Sequence, residues 1–386
     1  GWKRETHSLK KLVARFIQVF MGIIVIAAVF LLVSGLRTHA AVALRALLYA
    51  GVFAFLTFVV FYIAIRRKSW MSGVLWILLL IHIADLSYAF FKFNPFVPSS
   101  YVFPPHEITQ LMADGKEPRR FWGYGTAAID ANLATYFRAY SPDGYDPLYP
   151  KWYGEFIGAS KDGKLLRSFT NDTRSDARII SGFGETDFRD NEFRKRILRS
   201  LGISMILDRV ENGTTDKTFP PGEFEQSKIS DWRILTDLKS PAIVRIASQS
   251  KVGKTREEFE KIYFQPDFDV SKDVVFHDPS LPVLSGSGKI SLTEYRSDRI
   301  SASTETDGTT MMLSASTYYP GWRAYIDGKE APLLRVNWTM SGVILSSGKH
   351  DVLLRYEPDS FRLGLWVSVL SLFLFFCSLI YSKKIS

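Results

Sequence analysis

The chain has 386 residues, of which 48 are Lys or Arg and 39 are Asp or Glu, so its formal net charge is +9. The positive charge lies at the apolar ends. Residues 1–91 and 361–386 carry 13 basic and two acidic side chains, whereas residues 92–360 carry 35 basic and 37 acidic ones. This distribution argues against nucleic acid as a partner, and the single cysteine, Cys377, excludes a disulfide within the chain.

Four long apolar segments predict transmembrane helices, because each is close to the ~20 residues that cross a bilayer. They span residues of about 16–35, 44–65, 70–91 and 361–382. The third is interrupted by His82 and Asp85. A signal peptide is the alternative for the first segment, but its apolar core is longer than the ~7 to 15 residues of such a signal, and further spans follow it.

Basic residues near the ends of these segments predict the orientation of the chain. They precede the first span, form the cluster Arg66, Arg67 and Lys68 between the second and third, and follow the last at Lys383 and Lys384. Basic loops stay in the cytoplasm. We therefore expect residues 1–15 and 383–386 to be cytoplasmic and residues 92–360 to be extracytoplasmic.

The extracytoplasmic segment changes its pattern along its length. Residues 92–250 mix helical stretches such as "NEFRKRILRSLG" with strands such as "ISMILDRV", which predicts an α/β domain. A connecting segment, 251–282, follows. From 283 to 360 short alternating stretches are separated by turns at Asp327–Gly328 and Gly348–Lys349, which predicts a β-sandwich.

Two motifs in this segment are weak. Gly253-Lys254-Thr255 is similar to the end of a phosphate-binding loop, but Ser248 stands where its first glycine is needed, and a helix N-cap at Thr255 explains the same residues. The acidic pair in "PDFD", Asp267 and Asp269, is typical of a cation site but equally of a turn. The sequence predicts no cofactor and no metal.

Candidate contacts for a sugar are richer in the loop "YSPDGYDPLYPKWYG", because aromatic rings beside carboxylates suit the C–H faces and hydroxyls of carbohydrates. The alternative is a surface loop whose aromatic residues pack on the domain. The candidates in this loop are Tyr140, Asp143, Tyr145 and Asp146.

Three further candidates lie elsewhere. Asp85 shares a helix face with His82 and is a costly ionisable group within a membrane span, unless it lies at the membrane surface. In the strand "WRAYI", Arg323 and Tyr325 share one face, while Trp322, Ala324 and Ile326 share the other and suit a sandwich core.

The segment "YYPGWRAYIDGKEAPLLRVNWTMSGVILSSGKHDVLLRYEPDSFRLGLWVSVLSL" resembles the C-terminal signature of the bacterial YfhO-type membrane proteins. It contains a PGW turn, a DGK hairpin, a GxHxVxxxYxP strand and an FxxG entry into the last helix. The exit from the third span, "DLSYAFFKFNPFVP", and the stretch from "RRFWGYG" to "DPLYP" are similar to the same family.

This resemblance implies a multi-pass protein of the bacterial cytoplasmic (inner) membrane within the GT-C glycosyltransferase superfamily. Such enzymes transfer a sugar from a polyprenyl-phosphate donor to a cell-envelope glycan or lipid acceptor outside the membrane. Their catalytic acid lies in the first external loop. The loop "GLRTHA" here has no carboxylate and the chain does not begin with Met, so we expect the catalytic residue outside these residues. The alternative is a non-catalytic, membrane-tethered glycan-binding or assembly module.

Overall fold

The computed structural model describes 40–66, 71–94, 96–102, 106–113, 119–129, 132–137, 139–169 and 176–385, with a few isolated residues between 11 and 25. The chain divides into two compact units, Gly1–Pro104 and Pro105–Ser386. The first predicted span, 16–35, lies for the most part outside the described residues.

Among the described residues of the first unit are two long apolar helices, α1 (Ala40–Arg66) and α2 (Met71–Phe93), and one turn of helix, α3 (Ser99–Val102). Both long helices are long and apolar enough to cross a membrane, over Arg45–Ile63 and Gly73–Phe93. Most of their large side chains are exposed, as expected where lipid replaces water. The helices predicted at 44–65 and 70–91 are confirmed as candidate spans.

The N-terminal part of the second unit mixes helices and strands, and its helices are short. They are α4 (Glu107–Ala113), α5 (Leu133–Tyr136), α6 (Lys151–Gly158), α7 (Thr186–Arg189), α8 (Glu192–Ser200) and α9 (Arg256–Tyr263). The clearest sequence pattern is reproduced in α8, where the Asn191 side chain accepts the N–H of Arg194 and Gly202, with φ 69°, follows the last turn.

A four-stranded sheet is formed by β1 (Arg120–Gly123), β4 (Ile203–Arg209), β5 (Phe224–Ile229) and β6 (Trp232–Asp237). The strand order is β1–β4–β6–β5, with β1 parallel to β4. Two small two-stranded sheets complete this part: β2 (Gly144–Tyr145) with β3 (Asp176–Ala177), and β8 (Gln249–Val252) with β9 (Asp273–Phe276).

Two antiparallel sheets form the C-terminal region that the alternating pattern predicted. The five-stranded sheet has the order β10 (Gly288–Tyr295), β11 (Arg299–Thr306), β17 (Gly348–Tyr356), β13 (Trp322–Ile326) and β14 (Lys329–Ala331). The four-stranded sheet has the order β15 (Leu334–Val336), β16 (Met340–Leu345), β12 (Thr310–Thr317) and β7 (Val244–Ala247). Buried apolar side chains of both sheets, such as Met312 and Leu354, form one core.

Strand β7 comes from the range 92–250 that the sequence assigns to the α/β domain. It pairs with β12, Ile246 lying opposite Met312, so this sheet extends across the boundary placed at residue 250.

The two predicted turns differ in outcome. Asp327 and Gly328 have φ values of 50° and 79° and join β13 to β14 in a two-residue hairpin, as a type I′ turn requires. The prediction of a turn at Gly348–Lys349 is wrong, because these two residues are the first two of strand β17. The chain crosses there from the four-stranded to the five-stranded sheet, so no hairpin is formed.

The five-stranded sheet leads directly into the last helix. Strand β17 ends at Tyr356 and helix α10 covers Asp359–Ile385, with a candidate span over Asp359–Cys377. Only two residues, Glu357 and Pro358, lie between the sheet and a helix that is exposed along this length.

Candidate functional site

A cavity of about 220 Å³ lies where the α/β part meets β12. It brings together two of the four loop candidates, Tyr140 and Asp143. The cavity is lined by polar groups from distant parts of the chain, among them Arg120, Asn132, Ser141, Tyr153 and Thr317.

The side chain of Arg120 connects the parts of the chain that form this cavity. Its Nη1 donates to the carbonyl oxygens of Leu201, at 2.7 Å, and Ala315, at 3.0 Å, while Nη2 donates to the hydroxyl of Tyr295, at 3.0 Å. The ring of Tyr140 meets that of Tyr295 edge to face, with centroids 5.2 Å apart. One arginine from β1 therefore ties the α/β part to both C-terminal sheets and places a positive charge in the cavity wall.

Asp143 is the candidate residue that brings a carboxyl group to the cavity. Its Oδ1 accepts the backbone N–H of Ile179 at 2.8 Å. The residue as a whole is half-buried, while its carboxyl group is closely surrounded by protein atoms. Burial raises the pKa of Asp143 to about 6, against the opposing effects of the Ile179 N–H and the charge of Arg178. The carboxyl group can therefore gain or lose a proton near neutral pH.

This pKa predicts a pH-dependent stability. Because the folded pKa of about 6 lies above the ~3.9 of an unfolded aspartate, the folded chain retains a proton that the unfolded chain releases. The resulting stabilisation is complete below about pH 4 and is lost as pH rises through about 6. We expect Asp143→Asn to remove this component, so the difference in melting temperature between wild type and variant should change over that range. Asp146→Asn is the control, and parallel curves for wild type and Asp143→Asn would contradict the assignment.

The other two loop candidates do not line the cavity. Tyr145 is 59 % exposed, and its backbone pairs with the side chain of Asn132. Oδ1 of Asp146 accepts the N–H of Leu148 at 2.8 Å, which is a turn-stabilising bond. The structure therefore separates the loop into an inward half that contains Tyr140 and Asp143 and an outward half that contains Tyr145 and Asp146.

Arg323 and Tyr325 lie on the outward side of the five-stranded sheet, here called the sheet face. The predicted alternation is confirmed, since Ala324 is fully buried and Trp322 and Ile326 pack against the core. Part of the sheet face is a groove of about 580 Å³. Its lining includes Thr293, Ser301, Ser303, Tyr325, Asp351, Leu353 and Arg355.

The polar groups of the sheet face are held by one another. The Tyr325 hydroxyl donates to Oε2 of Glu357 at 2.6 Å, and the guanidinium of Arg355 lies 5.5 Å from the centre of the Tyr325 ring. The hydrogen bond from Tyr325, supported by Arg355, holds the pKa of Glu357 below its usual range. A fixed aromatic ring beside hydroxyls and charges has the chemistry of a carbohydrate-binding surface.

Sequence reasoning missed several of these groups. The alternation within β11 and β17 could have shown that Ser301, Ser303, Asp351 and Arg355 share one face of their strands, but only the strand order brings that face beside Tyr325. Arg120 carried no comparable pattern, since its partner Ala315 is 195 residues away.

Asp85 lies in the first unit, in a groove of about 450 Å³ between α1 and α2. His82 lines the same groove, as their predicted common face requires. Tyr49 and Tyr88 meet there with ring centroids 4.8 Å apart. The groove offers polar groups within a candidate span, and a role for Asp85 in binding stays a prediction.

The two weak motifs have structural explanations. Thr255 accepts the N–H of Glu258, whose carboxylate accepts the N–H of Thr255 in return, forming a capping box at the start of α9. Asp269 accepts both the N–H and the hydroxyl of Ser271 in a turn. Among the described residues, no group of three or more His, Cys, Asp or Glu side chains is placed to hold a metal ion.

The chain is a membrane protein with a sheet-rich region placed directly before an apolar helix. The family model described as "Bacterial membrane protein YfhO" matches residues 286–368, from the approach to β10 into the first turns of α10. The resemblance to the YfhO family is thereby confirmed for this C-terminal part. No curated protein and no solved structure matches the chain.

Proposed function

We propose that this chain is part of a membrane glycosyltransferase that transfers a sugar from a polyprenyl-phosphate carrier to a glycan or lipid of the bacterial cell envelope. The observation that supports this proposal is the YfhO match over residues 286–368, which includes most of the sheet face and its connection to the membrane. The transfer takes place on the outer side of the cytoplasmic membrane, where residues 92–360 are proposed to lie.

The described residues contribute to acceptor binding in this proposal. The cavity supplies Arg120, Tyr140 and Asp143, and the sheet face supplies an aromatic ring with hydroxyl and charged neighbours. A polyprenyl-phosphate sugar already carries a good leaving group, so the transfer needs a base for the acceptor hydroxyl and a positive charge near the phosphate. We assign the base to none of the described residues.

A second candidate is a non-catalytic module that binds or helps to assemble envelope glycans beside a partner subunit. The sheet face supports it, because internal hydrogen bonds hold its polar side chains in fixed positions: Ser303 donates to Asp351 at 2.7 Å and Tyr325 donates to Glu357. Such a surface can orient a glycan without any chemical step.

Deleting the gene from its host separates the two candidates. For a transferase, mass spectrometry of lipid extracts should show a polyprenyl-phosphate sugar accumulating while the envelope loses that sugar, and a plasmid copy should restore both. For a binding module, the carrier-linked sugar stays at its normal level while assembly of the polymer changes. Unchanged carrier lipids together with an unchanged envelope would refute both proposals.

A further inference from the structure

Three arginines stand side by side on the sheet face. Arg299 of β11 lies directly opposite Arg355 of β17, and Arg355 lies directly opposite Arg323 of β13. These three residues are here called the arginine row. Like charges directly opposite on neighbouring strands repel one another. The row is therefore unfavourable for the isolated sheet and calls for a negative group nearby.

Carboxylates of the same chain meet part of this need. Arg299 pairs with Glu294 at 3.7 Å, Arg355 with Glu357 at 2.5 Å, and Arg323 with Glu330 at 3.2 Å. The three arginine side chains nevertheless remain 40 %, 41 % and 32 % exposed, in the same order.

Each guanidinium has five N–H donors, so the one carboxylate beside Arg299 and the one beside Arg355 leave several donors unused, whereas Arg323 has two carboxylate partners, Glu330 and Asp359. Within the described part of the chain, the buried Nε of Arg355 has no hydrogen-bond partner. That buried atom cannot reach a ligand, so what the row offers is its partly exposed positive charge and the terminal N–H groups of Arg299 and Arg355 that their carboxylates leave free.

The arginine row lies at the end of the sheet from which the chain enters the membrane. Arg355 is one residue before the end of β17, and Nη2 of Arg323 is 3.1 Å from the carboxylate of Asp359, the first residue of α10. The candidate span Asp359–Cys377 has 19 residues, or about 28 Å of helix, close to the ~30 Å hydrocarbon core of a bilayer. Insertion of this candidate span would place Asp359, and with it the row, at the level of the lipid headgroups.

Aromatic side chains mark the same level. Tyr319 and Tyr356 are both exposed and their ring centroids are 6.4 Å apart, while Trp322 meets Tyr356 at 5.8 Å. In the first two turns of α10, Phe361 and Trp366 are exposed. Tyr and Trp collect at membrane surfaces, where one end of the ring system is apolar and the other wet. This is an independent indication that the end of the sheet touches the membrane.

We propose that the arginine row binds the phosphate groups of anionic phospholipids in the leaflet that α10 enters, and thereby holds the sheet face at a fixed height and tilt above the membrane. The forked guanidinium matches the geometry of a phosphate and can engage it through two N–H groups. The proposal concerns the placement of the domain and does not depend on whether the protein is a transferase.

The test uses the full chain in detergent and native mass spectrometry with two lipids, phosphatidylglycerol and phosphatidylcholine. The wild-type protein should retain phosphatidylglycerol in preference to phosphatidylcholine. The triple variant Arg299→Gln, Arg323→Gln and Arg355→Gln should lose the preference by about fivefold for each arginine. The matched control replaces Lys289, Lys329 and Lys349 by Gln, which removes the same charge from the opposite end of the same sheet.

Retention of the preference in the arginine variant, or an equal loss in the lysine variant, would overturn the proposal. A third variant, with Lys at all three row positions, keeps the charge and removes the fork. It is expected to fold and to keep only part of the preference, so the test stands even if the Gln variant is unstable. An arm with polyprenyl phosphate distinguishes the source, because stronger retention of that lipid than of phosphatidylglycerol would refute the phospholipid assignment.

Discussion

Asp208→Ala is expected to lower the free energy of unfolding of the extracytoplasmic part by about 3 to 5 kcal/mol, the typical cost of breaking a buried ion pair from one side. Asp208 is fully buried in β4, and its Oδ2 accepts from Nε of Arg233 at 2.9 Å. Its carboxylate also accepts from the side chains of Asn212 and Thr214. Removing it leaves the Arg233 guanidinium, which is 13 % exposed, without its counter-charge. Urea unfolding of the full chain in detergent, followed by tryptophan fluorescence, measures the change.

Asp231→Ala is the matched control for this prediction. Asp231 forms an ion pair with Arg209 at 3.4 Å, but its side chain is 69 % exposed. Exposed pairs contribute at most about 1 kcal/mol. Equal destabilisation by the two substitutions would show that burial does not determine the role of Asp208 in the sheet.

The second large effect is functional and rests on the proposed role in glycan transfer. Asp143→Asn should lower acceptor use by about tenfold or more, because a hydrogen bond to a charged group contributes roughly 1.5 to 3 kcal/mol. The substitution retains an oxygen that can accept the Ile179 N–H, so the loop should stay folded. The measurement is restoration of envelope sugar content by the variant gene in the deletion strain.

Asp146→Asn separates this effect from a general disturbance of the loop. Asp146 is three residues away and exposed, and its bond to Leu148 survives replacement by Asn. We expect full restoration by this variant. If Asp143→Asn also restored the envelope fully, the cavity would be excluded as the acceptor site while the transferase proposal itself would stand on the deletion result.

Local patterns were sufficient for several elements. The apolar runs at 44–65 and 70–91 correspond to α1 and α2, because an uncharged run of about 20 residues is a local property of the sequence. The amphipathic stretch ending at Gly202 corresponds to α8, because its pattern depends on neighbours three or four residues apart. The alternation around Ala324 identified the core face of β13 for the same reason, with a period of two.

Local sequence patterns gave wrong or no predictions where the chain passes from one sheet to another or where distant segments pair. Gly348 begins β17 shortly after β16 ends at Leu345, where a hairpin glycine could stand, but the two strands belong to different sheets. Likewise, nothing in the sequence near Val244 indicates that β7 pairs with β12, where Val244 lies opposite Ser314, 70 residues further along the chain.

The sequence by itself indicated a membrane protein and a C-terminal region of alternating strands, because the length of an apolar run and the alternation of a strand are local properties. The motifs of the C-terminal part separately resembled the YfhO family, which the family model matches at residues 286–368. The tertiary structure alone decided which polar groups meet. It brought Asp143, Tyr140 and Arg120 into the wall of one cavity and left Asp146 outside, and it aligned Arg299, Arg355 and Arg323 in one row near the start of α10. These groups come from separate strands and loops, so only strand register and packing could place them together.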